Sequence, residues 1–248
     1  MNVKLSDSSK VIDEAVAIIK KGGLVISPTR TNYCVICDPM NEEAIKKVFH
    51  AKKRTKFGPL SLNISSVSEV NKYVYFPTNF DMNCLIELWP GELSIIFKKG
   101  YPFPELLTMG ANTIAVSFQG QSVLHQILES YKGPLASTSA NISGQGDIFI
   151  DLEKSIEDIG EKVDLIIDSG VPSPALSVNG HNRSNTIIDL TFDIPFLVRE
   201  GIVPTEKIKK VIPNLNEDMA TYKYLLEKGV TQKYKTIMDI LSVEDIEH

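Results

Sequence analysis

Leu135-Ala136-Ser137-Thr138-Ser139-Ala140-Asn141-Ile142-Ser143-Gly144 is the stretch whose reading decides the fold of this 248-residue chain. Two apolar residues of a buried strand run into a cluster of hydroxyl and amide groups, so a polar site stands at the edge of a core segment. A second cluster lies far earlier, Lys52-Lys53-Arg54 followed by Pro59-Leu60-Ser61-Leu62. A cationic K-x-R and a neutral S-x-N that converge in space would form a pocket for an anionic nucleotide and a small carboxylate. Taken singly, each motif has a plainer reading. Lys52 and Arg54 can be a solvated basic helix end that complements the helix dipole, and Ser139 and Asn141 can be a turn plus a helix cap.

Outward from these motifs the pattern alternates. Val11, Ile12, Ala15, Val16, Ile18 and Ile19 recur at helical spacing, which predicts a helix from Ser8 or Ser9 to Lys21, stopped by Gly22-Gly23. A buried strand, Leu24-Val25-Ile26, leads into Ser27-Pro28-Thr29-Arg30-Thr31-Asn32-Tyr33. Asn41 is a good N-cap for a helix over Glu42 to Ala51, with Ala44, Ile45, Val48 and Phe49 as its buried stripe. Strand Leu60 to Ile64, helix Val67 to Tyr73 and an amphipathic stretch to Leu88 follow, broken by Trp89-Pro90-Gly91.

Beyond that turn, strands are predicted at Leu93 to Phe97, Thr113 to Val116 and Leu135-Ala136, with a helix from Ser122 to Tyr131. Helix Asp151 to Ile159 and strands at Val163 to Ile167, Thr186 to Leu190 and Phe196 to Val198 complete the set. This alternation indicates an α/β domain, bordering on α+β, with a mixed sheet. Gly170 to Asn185 is a long Gly/Pro/Ser/Asn loop carrying His181 and Arg183, of a length often used for lids or binding loops. From Pro204 the composition turns to Lys, Glu, Leu and Ile at helical spacing. The expected organisation is a main domain over 1–203 and a short helical extension over 204–248, packed on the body or on a partner.

The net charge of −5 gives no electrostatic reason for duplex nucleic acid as the main partner, although a local basic groove is compatible with it. No stretch approaches the roughly 18 apolar residues of a membrane span, and the first residues lack a signal-peptide core. A cytoplasmic protein without membrane association is expected. Cys34 and Cys37 form a C-x-x-C without a second ligand pair, which reads better as small residues on a half-buried strand than as a redox or zinc site.

Several blocks resemble, in order, the signature of the YrdC-like family, the threonylcarbamoyl-AMP synthases. Pro28-Thr29-Arg30-Thr31-Asn32-Tyr33 is similar to its P-T-x-T-x-Y segment, Lys52-x-Arg54 with Pro59-Leu60 to its K-x-R block, and Trp89-Pro90-Gly91 to its W-P-G turn. Ala115-Val116 begins its A-V-R strand. Ser137 to Gly144 reproduces its S-T-S-A-N-x-S-G run, and Thr186 to Leu190 with Val198-Arg199-Glu200-Gly201 resembles its closing strands. The resemblance implies a twisted mixed sheet with surrounding helices and a concave ligand-binding face. It also implies a reaction joining L-threonine, or another small amino acid, with bicarbonate and ATP to give a carbamoyl-adenylate and pyrophosphate, on the way to threonylcarbamoyladenosine in tRNA.

Carried onto this chain, the resemblance makes Lys52 and Arg54 the catalytic cations that anchor phosphate or carboxylate. Ser137, Ser139 and Asn141 would bind ribose, phosphate or adenine edges. Thr29 and Thr31 would line the amino-acid subsite, or only terminate their strand. Arg199 would reach the nucleotide from the last strand, or be a surface arginine. Mg2+ would accompany the ATP phosphates rather than sit in a protein cage.

This chain also departs from the pattern around the proposed subsites. Ser117 stands where the A-V-R strand brings a cation, and Arg30 stands inside P-T-x-T where an acidic or small residue is common, so a positive charge is expected to have moved. Cys34 replaces a Gly, Asn63 stands where some members carry His, and Asn185 stands where Ser is usual. Alternatives are a carbamoyltransferase or YciO-like enzyme using the same pocket. An RNA-binding module is a further alternative that the acidic charge does not favour, and proteins of tRNA modification are the expected partners.

Overall fold

The computed structural model describes residues 2–6, 8–53, 58–78, 80–145, 150–170 and 184–229. The chain opens with β1 (Val3–Leu5), α1 (Ser9–Lys20), β2 (Val25–Pro28), β3 (Tyr33–Cys37) and α2 (Glu42–Ala51). It continues through β4 (Ser61–Asn63), a 3-10 turn at Val67–Lys72, β5 (Val74–Tyr75), α3 (Asn83–Leu88), β6 (Leu93–Lys99), α4 (Glu105–Thr108) and β7 (Thr113–Ser117). Then come α5 (Val123–Tyr131), β8 (Leu135–Ser139), α6 (Leu152–Ile159), β9 (Leu165–Asp168), β10 (Thr186–Asp189), β11 (Phe196–Arg199), α7 (Thr205–Val211) and α8 (Met219–Gly229). No helix among the described residues is long and apolar enough to cross a membrane.

All the strands join one mixed sheet in the order β1-β9-β2-β3-β8-β4-β7-β6-β10-β11, with β5 paired to β6. The pleat sorts its side chains. Ile26, Val35, Ala136, Leu62, Val116, Ile95 and Ile188 belong to a large core that includes α2, α3, α4 and Trp89. Val25, Ile36, Leu135, Leu165 and Ile167 pack with α1 and α5 in a second core. Each fully buried aliphatic side chain in these cores contributes roughly 1.5–3 kcal/mol.

The helices form where the sequence predicts them. α1 buries Val11, Ile12, Ala15, Val16 and Ile19, and Asn41 caps α2 by accepting the Ala44 N–H at 3.0 Å, a contact worth about 1 kcal/mol. β1, β5 and α4 form where no element is predicted, and two of the predicted segments differ from the expectation. Val67–Lys72 is a 3-10 turn rather than an α-helix, and its Glu69 carboxylate accepts the Ser65 N–H and hydroxyl at 3.2 and 2.7 Å. Strand β8 does not stop at Ala136 but runs to Ser139, because β3 pairs with it from Ala136 to Ser139 and β4 pairs with it as far as Ser137.

The helices after Pro204 pack on the body. α7 lies against α3, and α8 against β11. Tyr222 of α8 donates to the Asp189 carboxylate at 3.0 Å and sits among Phe192 and Phe196.

Candidate active site

The site begins as a consequence of strand register. Cross-strand partners share a face, and the pairs run Cys34 with Ser139, Ser137 with Ser61, and Asn63 with Ser117. They continue with Ser117 beside Ser94, Ser94 beside Ile187, and Ile187 beside Arg199. One sheet face is therefore paved with small, mostly polar side chains across five strands, β3, β8, β4, β7 and β6, and continues through Ile187 to Arg199 on β10 and β11. Their neighbours in sequence, Leu62, Val116 and Ile95, point into the large core. Above this floor is a cavity of about 240 Å³.

The floor is internally hydrogen-bonded. Asn63 Nδ2 donates to Ser137 Oγ at 2.6 Å, and the Ser94 and Ser117 hydroxyls are 2.7 Å apart. Asn185 completes it from the loop before β10: its Nδ2 donates to Ser94 Oγ at 3.2 Å, and its Oδ1 accepts from Thr31 Oγ1 and Gln119 Nε2, each at 3.3 Å. Gly201 makes that position attainable, since a Cβ there would meet Ser184 O at 2.1 Å and Asn185 C at 2.7 Å.

One wall is the run after β8. Lys52, the C-cap of α2, is only 1% exposed. Its Nζ donates to Ser139 O, to Asn141 O at 2.5 Å and to Asn141 Oδ1 at 3.3 Å, and the Lys52 carbonyl accepts the Ser143 N–H at 2.9 Å. Ser139 Oγ donates to Asn141 Oδ1 at 2.6 Å. A buried ammonium held by carbonyls is a charge-assisted clamp, and its positive field stands directly behind the two side chains that face the cavity.

Beside this wall stands the turn between β2 and β3, since the Ala140 N–H donates to Tyr33 O at 3.0 Å. Thr29 Oγ1 accepts the Thr31 and Asn32 N–H groups and donates to Asn32 O at 2.7 Å, which locks the turn. Asn32 Oδ1 accepts the Ile150 N–H at 2.9 Å, joining the turn to the segment after the Ser137–Gly144 run. Arg199 Nη2 and Nε donate to Asn185 O at 2.9 and 3.3 Å, so its guanidinium lies at the β11 side of the cleft.

Cys34 lines the cavity beside Ser139. Burial pushes its thiol up to about 11, against the downward pull of the Lys52 charge. Cys37, three residues on, turns to the other face and is fully buried, so the two thiols do not share a site. Among the described residues no group of three or more His, Cys, Asp or Glu side chains could hold a metal.

The sequence-predicted residues thus fall into three groups. Thr29, Thr31, Asn63, Ser117, Ser137, Ser139, Asn141, Asn185 and Arg199 line one cavity. Lys52 stands behind its wall, and Arg30 stands at the rim, its guanidinium 2.5 Å from the Glu92 carboxylate rather than among the lining side chains. Arg54 lies outside the described residues, as do His181 and Arg183 of the long loop. Ser61, Ser94 and Gln119 also line the cavity and were not singled out from sequence. Ser61 and Ser94 are each the one hydroxyl of their strand, so only the strand pairing reveals that they face the cavity.

Residues 17–201 match the model of the family named for Sua5, YciO and YrdC and described as telomere recombination. The chain is 32% identical over 209 residues to the threonylcarbamoyl-AMP synthase of Pyrococcus abyssi (strain GE5 / Orsay), covering 84% of this chain and 59% of that protein. It therefore spans about three fifths of that relative's length. The crystal structure of P. abyssi Sua5 complexed with L-threonine is similar with a TM-score of 0.76 and 31% identity, over 89% of this chain and 62% of that one. The crystal structure of E. coli YciO is similar with a TM-score of 0.70 and 25% identity, over 84% and 97% respectively.

Proposed function

This chain belongs to the Sua5/YciO/YrdC family, and from that premise we propose that its cleft joins L-threonine, bicarbonate and ATP into threonylcarbamoyl-AMP, pyrophosphate and water, for threonylcarbamoyladenosine formation in tRNA. The observation that carries the reading is the meeting of three parts in one cavity: the Ser139–Asn141 wall clamped on Lys52, the hydroxyl floor, and the Thr29–Asn32 turn.

The chemistry asks two things of the protein. The threonine amine captures bicarbonate as a labile carbamate with loss of water, so the amine and the acceptor must be held together and away from bulk solvent. A carbamate oxygen then attacks the α-phosphorus and pyrophosphate leaves, which calls for fixed dipoles and positive charge around the transferring group. In this reading Ser139 and Asn141 hold the nucleotide, with the Lys52 ammonium stabilising developing negative charge through them. Ser94, Ser117, Asn63 and Asn185 orient the amino acid by hydrogen bonds, and Arg199 supplies the guanidinium at the far side.

Arg54, two residues after Lys52 in sequence, brings a second positive charge to the K-x-R block. The hydroxyl and amide oxygens of the cleft suit a hydrated Mg2+ that arrives on the ATP phosphates. Residues 1–203 form the catalytic unit and 204–248 an extension, and the enzyme that accepts the adenylate is a tRNA-modification partner in the cytoplasm.

The test is pyrophosphate release from ATP and bicarbonate with each common amino acid, in wild type, Lys52→Ala and Arg54→Ala. Threonine-dependent release lost in both variants supports the reading. Release with a different amino acid keeps the mechanism and moves the substrate, an outcome that the neutral Ser117 and Asn63 floor makes worth measuring. Nucleotide binding without release sinks the synthase assignment.

A further inference from the structure

The register places the Thr29–Asn32 turn beyond the Cys34–Ser139 end of the floor, whereas Gln119 and Glu92 stand beyond the Ser117–Ser94 end. On a flat sheet β3 and β6, with β8, β4 and β7 between them, would be about 19 Å apart. Yet the Arg30 N–H donates to Gln119 Oε1 at 3.3 Å, Thr31 Oγ1 reaches Asn185, and Arg30 Nε meets Glu92 Oε1 at 2.5 Å. The sheet curls until the two ends of the polar row face each other, and these contacts close the gap.

Glu92 is held for that contact on both sides. The Gly91 N–H donates to Phe118 O at 3.0 Å, and the Thr186 N–H donates to Glu92 O at 3.0 Å. Gly120 lies so close to Pro90 that a Cβ would come within 2.6 Å of the proline ring. The W-P-G turn is thereby pressed against the exit of β7, which sets Glu92 and Gln119 side by side. The Glu92 side chain is 17% exposed and that of Arg30 47%, so the pair is half-buried on the acid side and accessible to salt on the other.

We propose that Arg30 and Glu92 form a clasp across the mouth of the cleft, and that both are positioning residues: the pair draws the Thr29–Asn32 turn over the floor, sets Thr31 against Asn185, and limits what enters. The role in catalysis rests on reading this cleft as the substrate site, whereas the clasp itself does not. Arg30 therefore acts at the rim as the partner of Glu92, and the charge that the sequence puts inside P-T-x-T serves closure.

Cys34 supplies a readout that needs no substrate. Its thiol lies on the cavity wall, Cys37 is fully buried, and Cys84 lies on α3 away from the cleft. Alkylation of Cys34 by iodoacetamide at pH 8, followed by mass spectrometry, reports how often the mouth opens, with Cys84 as the control for global loosening. In Glu92→Gln and in Arg30→Gln the Cys34 rate should rise about threefold to fivefold, the population shift expected from loss of one partly exposed ion pair. High salt should raise the wild-type rate in the same direction and leave Glu92→Gln unchanged, and the charge swap Arg30→Glu with Glu92→Arg should restore the slow rate.

An unchanged Cys34 rate in Glu92→Gln overturns the clasp, whatever the activity. In an enzyme that releases pyrophosphate, Glu92→Gln should raise KM for the amino acid more than it lowers kcat, and an unchanged KM overturns the positioning role. A wild type without any synthase activity would remove the functional reading while the alkylation rates still decide the clasp.

Discussion

One face of this sheet has two halves that share a pleat and differ in cover. Over β9, β2 and the inner part of β3 it carries Leu165, Ile167, Val25 and Ile36, sealed by Val11, Ala15 and Ile19 of α1 and Leu124 and Ile127 of α5. Over β4, β7 and β6 the same face carries Ser61, Asn63, Ser117 and Ser94, faced by a turn and the loop before β10. Strand β8 straddles the border, with Leu135 in the sealed half and Ser137 two residues on in the polar one. The candidate active site is thus a piece of core-forming surface from which hydrophobic cover has been withheld, with hydrogen-bonding groups put in place of the aliphatic ones.

The comparison can be broken most sharply in the sealed half. Leu135→Ala should cost about 2–5 kcal/mol in urea unfolding, by lost transfer energy plus a cavity; a loss under 1 kcal/mol would mean that this half is not packed as a core. At the wall between the halves, Lys52→Ala leaves the Ser139 and Asn141 carbonyls without their buried donor. Unfolding should show a loss of about 1–3 kcal/mol, and pyrophosphate release should fall by more than about 100-fold as a fixed positive charge is removed.

In the polar half the balance should invert. Ser117→Ala should cost only about 0.5–1.5 kcal/mol of stability, the worth of its hydrogen bond to Ser94, while raising KM for the amino acid about threefold to tenfold. A stability loss without a KM change would assign the floor to folding rather than binding.

The smallest effect is set by pH at the β10 end, where α8 covers the Asp189 side of the sheet. Burial holds the Asp189 carboxyl above its ordinary value, against the hydrogen bonds from Thr191 and Tyr222. A raised acid pKa in the fold means that the unfolded chain releases its proton first as pH rises. Stability should therefore fall from about pH 4 upward and level off above the folded value, and Asp189→Asn should flatten that part of the curve. Urea midpoints at several pH values read the slope, and an unaltered slope in the variant would move its origin elsewhere.

Much of this arrangement was legible beforehand, and the limits have physical causes. Hydrophobic spacing gave α1 and α2 with their stripes, because helical periodicity is a local property, and the order of short polar blocks gave the family. Ser139, Asn141 and Thr31 were legible as cavity residues because they sit within those blocks, and Asn63 because it stands where some members of the family carry His. Ser61 and Ser94 were not, since a single hydroxyl in a short strand becomes informative only when pairing fixes which face it shares. The burial of Lys52 was hidden by the usual exposure of lysine, for the carbonyls that hold it lie at and just beyond the end of β8, 87 and 89 residues away. Glu92 stands 62 residues from Arg30, and no local pattern pairs them.

The pleat that sends Val116 down and Ser117 up also separates two kinds of inheritance. A change at Ser117, Asn63 or Ser94 exchanges partners on the ligand side and leaves the apolar jigsaw beneath untouched, so such positions can drift without endangering the scaffold. Ser117, where the resemblance expects a cation, and Asn63, where it expects His in some members, are departures of this kind. Diversity of substrate within such a scaffold is to be sought row by row on one sheet face, where a lineage can try new chemistry while its architecture stays still.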